Sequence, residues 1–156
     1  MKENEKERRW RKVILVLYVL IIIRLIVFKY PYSELKQIAG SWQKDVILEG
    51  LDTANFMPFK TIKMYIRYYG RLNSFENLFG NILIFIPFGY LLPWAFKRYR
   101  NFFRAFLITF LFVACIEIVQ LFSAFGAFDV DDFILNCFGG CIGFGLYQLL
   151  SLLRKR

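Results

Sequence analysis

The sequence predicts an all-α polytopic membrane protein, with four transmembrane helices and an amphipathic helix in the extracytoplasmic interface. Three observations lead there. Four apolar runs approach the roughly 20 residues that a helix needs to cross a hydrocarbon core. Hydrophobic residues make up 58% of the chain and aromatic residues 20%, more than a soluble domain needs. The basic residues between the runs collect at alternate ends, which gives four spans one consistent orientation.

Along the chain, a single membrane domain covers 13–153, with basic cytoplasmic ends at 1–12 and 154–156. The first span, 13–28, follows Arg8, Arg9, Arg11 and Lys12. No small-residue cleavage site comes after it; Lys29, Tyr30, Pro31 and Tyr32 do, so it reads as a retained span and not a signal peptide. Arg24, near its outer end, is expected to snorkel toward headgroups. The second span is 77–96, the third 103–122 and the fourth 132–153. Lys97, Arg98, Arg100 and Arg104 crowd the link between the second and third, and Arg154, Lys155 and Arg156 end the chain. The link 123–131 has no Lys or Arg. Basic connections stay inside, so both termini are expected in the cytoplasm. Trp10, Trp94 and Tyr99 then mark the inner interface, and Tyr30 and Tyr32 the outer one.

Residues 29–76 place seven further basic residues outside, but long loops weigh little in the orientation rule. Part of this segment has its own explanation. Lys60, Lys63, Arg67 and Arg71 recur at three- and four-residue spacing, with Ile62, Tyr65, Ile66 and Tyr69 on the opposing face. That pattern is an amphipathic helix suited to the headgroup layer, and Pro58 fits its start. An ordinary surface helix packed on the bundle would show the same periodicity.

Composition narrows the chemistry. The net charge of +9 accompanies long apolar runs, which fits headgroup and inner-face charge better than nucleic-acid binding. The expected partners are therefore membrane lipids and not nucleic acid. Histidine is absent, which removes the commonest general base and metal ligand, and no cofactor is expected. Cys115, Cys137 and Cys141 lie inside apolar stretches and read as packing residues, not as a disulfide framework.

Polar side chains within the spans are costly, at roughly 2.5–3.5 kcal/mol for a charge at the helix centre, so each needs a reason. Asn73, Asn77 and Asn81 repeat every four residues. Glu117 and Gln120 share a face of the third span, and Asp129, Asp132 and Asn136 share one on the fourth. Counted from the outer helix ends, Asn81, Glu117 and Asn136 all lie about 6–8 Å deep. Three helices thus offer polar groups at one level. Helix-to-helix hydrogen bonds of about 0.6 kcal/mol are the plain structural alternative for the asparagines. For Asp129 the plain alternative is an N-cap, with Asp132 as its capping-box partner. A lone buried carboxylate adds little adhesion, so Glu117 is expected to be protonated, paired or open to water. Asp131 could join the acidic group, though on a regular helix it points about 100° away from Asp132.

Other features are structural. Pro87 interrupts the second helix's hydrogen-bond ladder and frees the Leu83 carbonyl, with Gly89 giving room beside it. Gly139 and Gly143 form a small-xxx-small face that lets another helix approach closely.

The runs Asn77-Leu78-Phe79-Gly80-Asn81, Phe85-Ile86-Pro87-Phe88-Gly89, Glu117-x-x-Gln120 and Asp129-Val130-Asp131-Asp132-x-x-x-Asn136-x-x-Gly139 resemble the VanZ-like family. So does Asn55-Phe56-Met57-Pro58-Phe59, and the likeness extends from about residue 50 to the C-terminus in order and spacing. An arginine that many members carry shortly before the first of these aspartates is absent, where Phe125, Gly126, Ala127 and Phe128 stand. The resemblance implies a bacterial cell-membrane protein, and the family's namesake is associated with low-level resistance to the lipophilic glycopeptide teicoplanin.

Three functions compete. The first is non-catalytic: an outer polar pocket binds an amphiphile, a lipid-linked envelope precursor or a lipophilic glycopeptide. The second is an enzyme acting on lipid-linked envelope material. Glu117 would be its acid or base, and Asp129 with Asp132 would hold a divalent cation or relay a proton. The third is a small structural protein whose polar residues only fasten the bundle. The absence of His and of any Ser or Cys nucleophile motif favours the first over the second.

Overall fold

The computed structural model describes residues 4–28, 31–40, 45–68, 74–123 and 126–154. Among them the chain is helical, as expected: α1 Glu5–Ile26, α2 Tyr32–Gly40, α3 Asp45–Thr53, α4 Lys60–Arg67, α5 Ser74–Ala95, α6 Phe102–Ser123 and α7 Val130–Leu153. A 3-10 turn, Lys97–Arg100, joins α5 to α6.

Among the described residues, three helices are long and apolar enough to cross a membrane: Asn77–Ala95 of α5, all of α6 and all of α7. They lie within a few residues of the second, third and fourth expected spans. Helix α1 is not in that set. Lys12 and Arg24 bracket its apolar stretch Val13–Ile23, which is about 16 Å long, half of a ~30 Å hydrocarbon core. It also starts earlier than expected, inside the anticipated basic tail. Asn4 caps it by accepting from the Lys6 N–H at 3.1 Å, and Glu5 and Glu7 occupy the first turn, where the helix dipole favours them.

The α5–α7 pair is the spine. A Cβ on Gly139 would stand 2.2 Å from the Ile82 carbonyl oxygen, one on Gly143 1.9 Å from that of Ile86, and one on Gly89 2.0 Å from that of Gly140. The two backbones touch, in parallel and in step by four residues. The expected small-residue face is therefore used, against α5. Helix α5 carries Pro87 and Pro93 within its length.

Helix α1 runs antiparallel along α5. The Tyr18 hydroxyl donates to the Ile84 carbonyl at 2.8 Å, and the Arg11 guanidinium and Lys12 ammonium sit over Trp94 and Phe96 at 5.2 and 5.1 Å. Helix α6 runs antiparallel along α7, with Phe110 edge-on to Phe133 at 4.8 Å and Phe102 edge-on to Phe144 at 5.6 Å. Phe85, Phe88 and Phe112 fill the space between α5 and α6, the last two stacked at 5.0 Å. The start of α1, the 3-10 turn and the end of α7 consequently share one end of the bundle. Helix α4 and the polar residues occupy the other.

Outward positions such as Leu83, Phe103, Leu107, Phe138 and Leu149 are apolar and exposed. In lipid such faces gain nothing from pairing, so close packing and interhelical hydrogen bonds must hold the bundle. The touching glycines supply the first. Gly143→Ala should therefore destabilise the detergent-purified protein by about 1–3 kcal/mol, read as a lowered Tm. Gly145, whose Cβ would meet nothing within 4 Å, is the control. Gly145→Ala should be neutral or slightly stabilising, and equal Tm values for the two variants would refute the close-packing account.

Candidate functional site: a polar cavity at one end of the bundle

Two helix N-termini meet at this end. The approach to α7 is held by Asn55, whose N–H donates to the Phe128 carbonyl at 2.9 Å and whose carbonyl accepts from the Val130 N–H at 3.0 Å. Phe56 packs on Phe128 at 5.1 Å beside this short bridge. Asp129 is the N-cap of α7, as anticipated, and accepts from the Asp131 N–H at 2.8 Å. Its carboxylate also takes the Asn55 amide at 2.8 Å and the Thr61 hydroxyl at 2.6 Å, which links α7 to α4.

Helix α4 has no cap of its own. Its N-cap residue is Phe59, in the left-handed region at φ 64°, with no capping side chain. A bulky residue there is strained by about 1–3 kcal/mol. The cap comes from α7. Asp131, with 0% exposure, accepts from the N–H groups of Phe59 at 2.5 Å, Thr61 at 2.7 Å and Ile62 at 3.0 Å. The divergence of Asp131 from Asp132 is what aims it at α4.

The remaining polar residues brace this junction. Glu117, 1% exposed on α6, accepts from the Asp129 N–H at 3.2 Å, so its carboxylate lies against the N-terminus of α7. Gln120 donates to the Ile26 carbonyl at 3.4 Å and ties α6 to the last turn of α1. Asn81 donates to Asp132 at 2.6 Å. Asn77 lies beside Tyr65. Burial pushes the Tyr65 phenol up, the carboxylates of Asp132 and Asp129 push it further, and the Asn77 contact partly offsets them. Asn136 is 1% exposed, and its Oδ1 has no hydrogen-bond partner among the described residues.

These contacts frame a cavity of about 560 Å³. Asn77, Asn81, Asp129, Asp132, Asn55, Thr61, Tyr65 and Lys60 give it a polar wall, and Gln120 and Thr53 add to it. Leu25, Ile26, Ile84 and Phe128 give it an apolar one. The sequence-level candidates therefore separate into two groups. Asn77, Asn81, Gln120, Asp129 and Asp132 line the space, whereas Glu117 and Asn136 lie buried outside its lining. Of the basic set, Lys60 faces the cavity. Lys63 and Arg67 line a separate hollow of about 370 Å³ with Met57, Phe59, Met64 and Tyr68, and Ile66 stays 64% exposed. Asn73, Tyr69 and Arg71 lie outside the described residues.

Composition and periodicity did not single out Asn55, Thr61 or the capping role of Asp131, and they placed Tyr65 only on the apolar face of the amphipathic helix, not at a polar site. Asn55 belongs to the Asn55–Phe59 run that carried part of the family likeness. Thr61 and Tyr65 stand four apart on one helical face, which was a visible signal. Among the described residues no group of three or more His, Cys, Asp or Glu is arranged to hold a metal ion.

Apolar outer faces around a half-polar recess define a small helical membrane protein with a cavity at one end of its bundle. The chain belongs to the VanZ/LLP1 family, which it matches over residues 15–151. It is 32% identical over 136 residues to Protein VanZ of Enterococcus faecium, an alignment covering 87% of this chain and 72% of that protein. No solved structure matches it.

The shared cap is directly testable. Asp131→Ala leaves three N–H groups of α4 without their acceptor, at a cost of about 1–3 kcal/mol. Amide exchange at Phe59, Thr61 and Ile62 should accelerate about tenfold or more, with the α5–α7 interior unchanged. Unchanged exchange at those three amides would show that α4 docks without Asp131.

Proposed function

We propose that the cavity holds the polar head of an amphiphile or cell-envelope lipid at the outer face of the bacterial cell membrane. Through that binding the protein contributes to low-level resistance to lipophilic glycopeptides such as teicoplanin. The observation that carries this reading is the division of the cavity wall. Amides, hydroxyls, two carboxylates and Lys60 face Leu25, Ile26, Ile84 and Phe128 across about 560 Å³. A polar, hydroxyl-bearing head with an apolar continuation matches both halves. The basic, exposed side chains of Lys63 and Arg67 on α4, with Met57, Phe59 and Met64 beside them, suit the headgroup layer above it.

Binding is preferred to catalysis because the acidic groups are already engaged. Asp131 and Asp129 cap helices, Asp132 takes Asn81, and Glu117 takes the Asp129 N–H. The orientation follows the basic residues: the end bearing Arg11, Lys12, Lys97, Arg98, Arg100, Arg104 and Arg154 faces the cytoplasm, and the cavity faces out. Helix α1 is then a fourth span, with Lys12 and Arg24 reaching opposite headgroup layers.

Gly80 separates fold from function. It lines the cavity, and a Cβ there would meet nothing within 4 Å. Gly80→Phe should fill the space while keeping or raising stability, since glycine is a poor helix residue. Expressed at equal level in a susceptible host, it should lose the teicoplanin tolerance given by the unaltered chain, by about fourfold or more in inhibitory concentration. Retained tolerance with the cavity filled would sink the proposal. Orientation has its own measurement. A cysteine replacing Ser123, with Cys115, Cys137 and Cys141 changed to Ala, should react with an impermeant thiol reagent in intact cells. Labelling only after lysis would invert the assignment.

A further inference from the structure

A second recess, of about 210 Å³, lies at the opposite end of the bundle from the polar cavity. Three arginines from three separate segments line it: Arg11 of α1, Arg100 of the 3-10 turn and Arg154, the C-cap of α7. Trp94, Tyr90 and Tyr147 line it as well, the two tyrosines meeting edge-on at 6.0 Å. We propose that this recess is a binding site for a phosphate ester, filled in the membrane by the headgroup of an anionic phospholipid.

Contacts within the protein hold Arg11 and the turn that carries Arg100, whereas the side chains of Arg100 and Arg154 are exposed at the rim. Arg11 rests over the Trp94 ring at 5.2 Å, and Glu7 stands 3.9 Å from its guanidinium. Gln148 donates to the Arg100 carbonyl at 3.2 Å, which pins the 3-10 turn to α7. Arg154 sits at the C-terminus of α7, where the helix dipole favours a cation. No carboxylate within ion-pair distance of Arg100 or Arg154 is found among the described residues. Converging guanidinium forks recognise phosphate oxygens in a way that scattered lysines do not. Basic recesses between membrane helices on the inner side are the usual seats of anionic headgroups, and tryptophan and tyrosine belong at that depth. Arg98 and Arg104 are exposed near the same end but do not line the recess, so it is the convergence, not the end's net charge, that makes the site.

The full-length protein, purified and delipidated in detergent, would be titrated with phosphatidylglycerol, phosphatidylcholine and inorganic phosphate, with binding read by native mass spectrometry. Phosphatidylglycerol should bind about tenfold or more tighter than phosphatidylcholine. The pair R100Q and R154Q should remove that preference, and the control pair R98Q and R104Q, of equal charge change, should keep it within about twofold. If inorganic phosphate binds with the same arginine dependence and competes with the lipid, the site stands and its occupant is a soluble phosphate. Equal losses for the two arginine pairs, or no arginine-dependent binding of either anion, would overturn the proposal.

Discussion

Asp131 stands in the first turn of α7 and gives both of its carboxylate oxygens to the N-terminus of α4. A fully buried carboxylate is tolerable only because its charge meets N–H donors and helix dipoles directly. In return, α4 gains the cap that Phe59 cannot provide, and the left-handed turn at Phe59 is held against its strain. The position of α4 decides where Lys60, Thr61 and Tyr65 stand, and with them one wall of the cavity. Asp129 and Glu117 extend the same arrangement. One accepts from α4 and α7 together, and the other satisfies the N–H of the cap residue itself. The acidic cluster is thus first a joint between two helix N-termini.

That joint works because the helices beneath it are held by contacts independent of polar chemistry. Carbonyls of Ile82 and Ile86 lie where side chains of Gly139 and Gly143 would otherwise be. Close approach replaces the hydrophobic drive that lipid surroundings remove. It also sets α7 in parallel register with α5, which brings Asp132 to Asn81. Packing and polar pairing therefore specify the same arrangement, and neither has to compensate for the other.

The two ends of the bundle differ in chemistry. At the cavity end, carboxylates are neutralised locally by backbone donors and amides, leaving a recess of mixed polarity. At the other end, the Arg11 guanidinium is held on the Trp94 ring and Arg154 stands at a helix C-terminus, leaving a cationic surface. The +9 balance is concentrated by the fold and not spread over it.

Apolar run length and periodicity by themselves determined that the chain is helical, where α5, α6 and α7 begin and end within a few residues, and that Gly139 and Gly143 face another helix. Local signals suffice for such features: a helix side chain's face follows from its spacing, and an N-cap such as Asp129 from its position before an apolar run. Spacing along each helix put Asn77 with Asn81 and Asp129 with Asp132, and all four line the cavity, but of the three residues matched by depth, Asn81, Glu117 and Asn136, only Asn81 does. Only the tertiary structure decided which helix Gly139 and Gly143 meet, that Asp131 caps α4, and that Glu117 and Asn136 sit outside the cavity lining. It likewise decided that Asn55, Thr61 and Tyr65 complete the wall, and that Arg11, Arg100 and Arg154 converge. These are encounters between residues up to 143 positions apart, and spacing along a chain carries no information about contacts made only when separate helices pack.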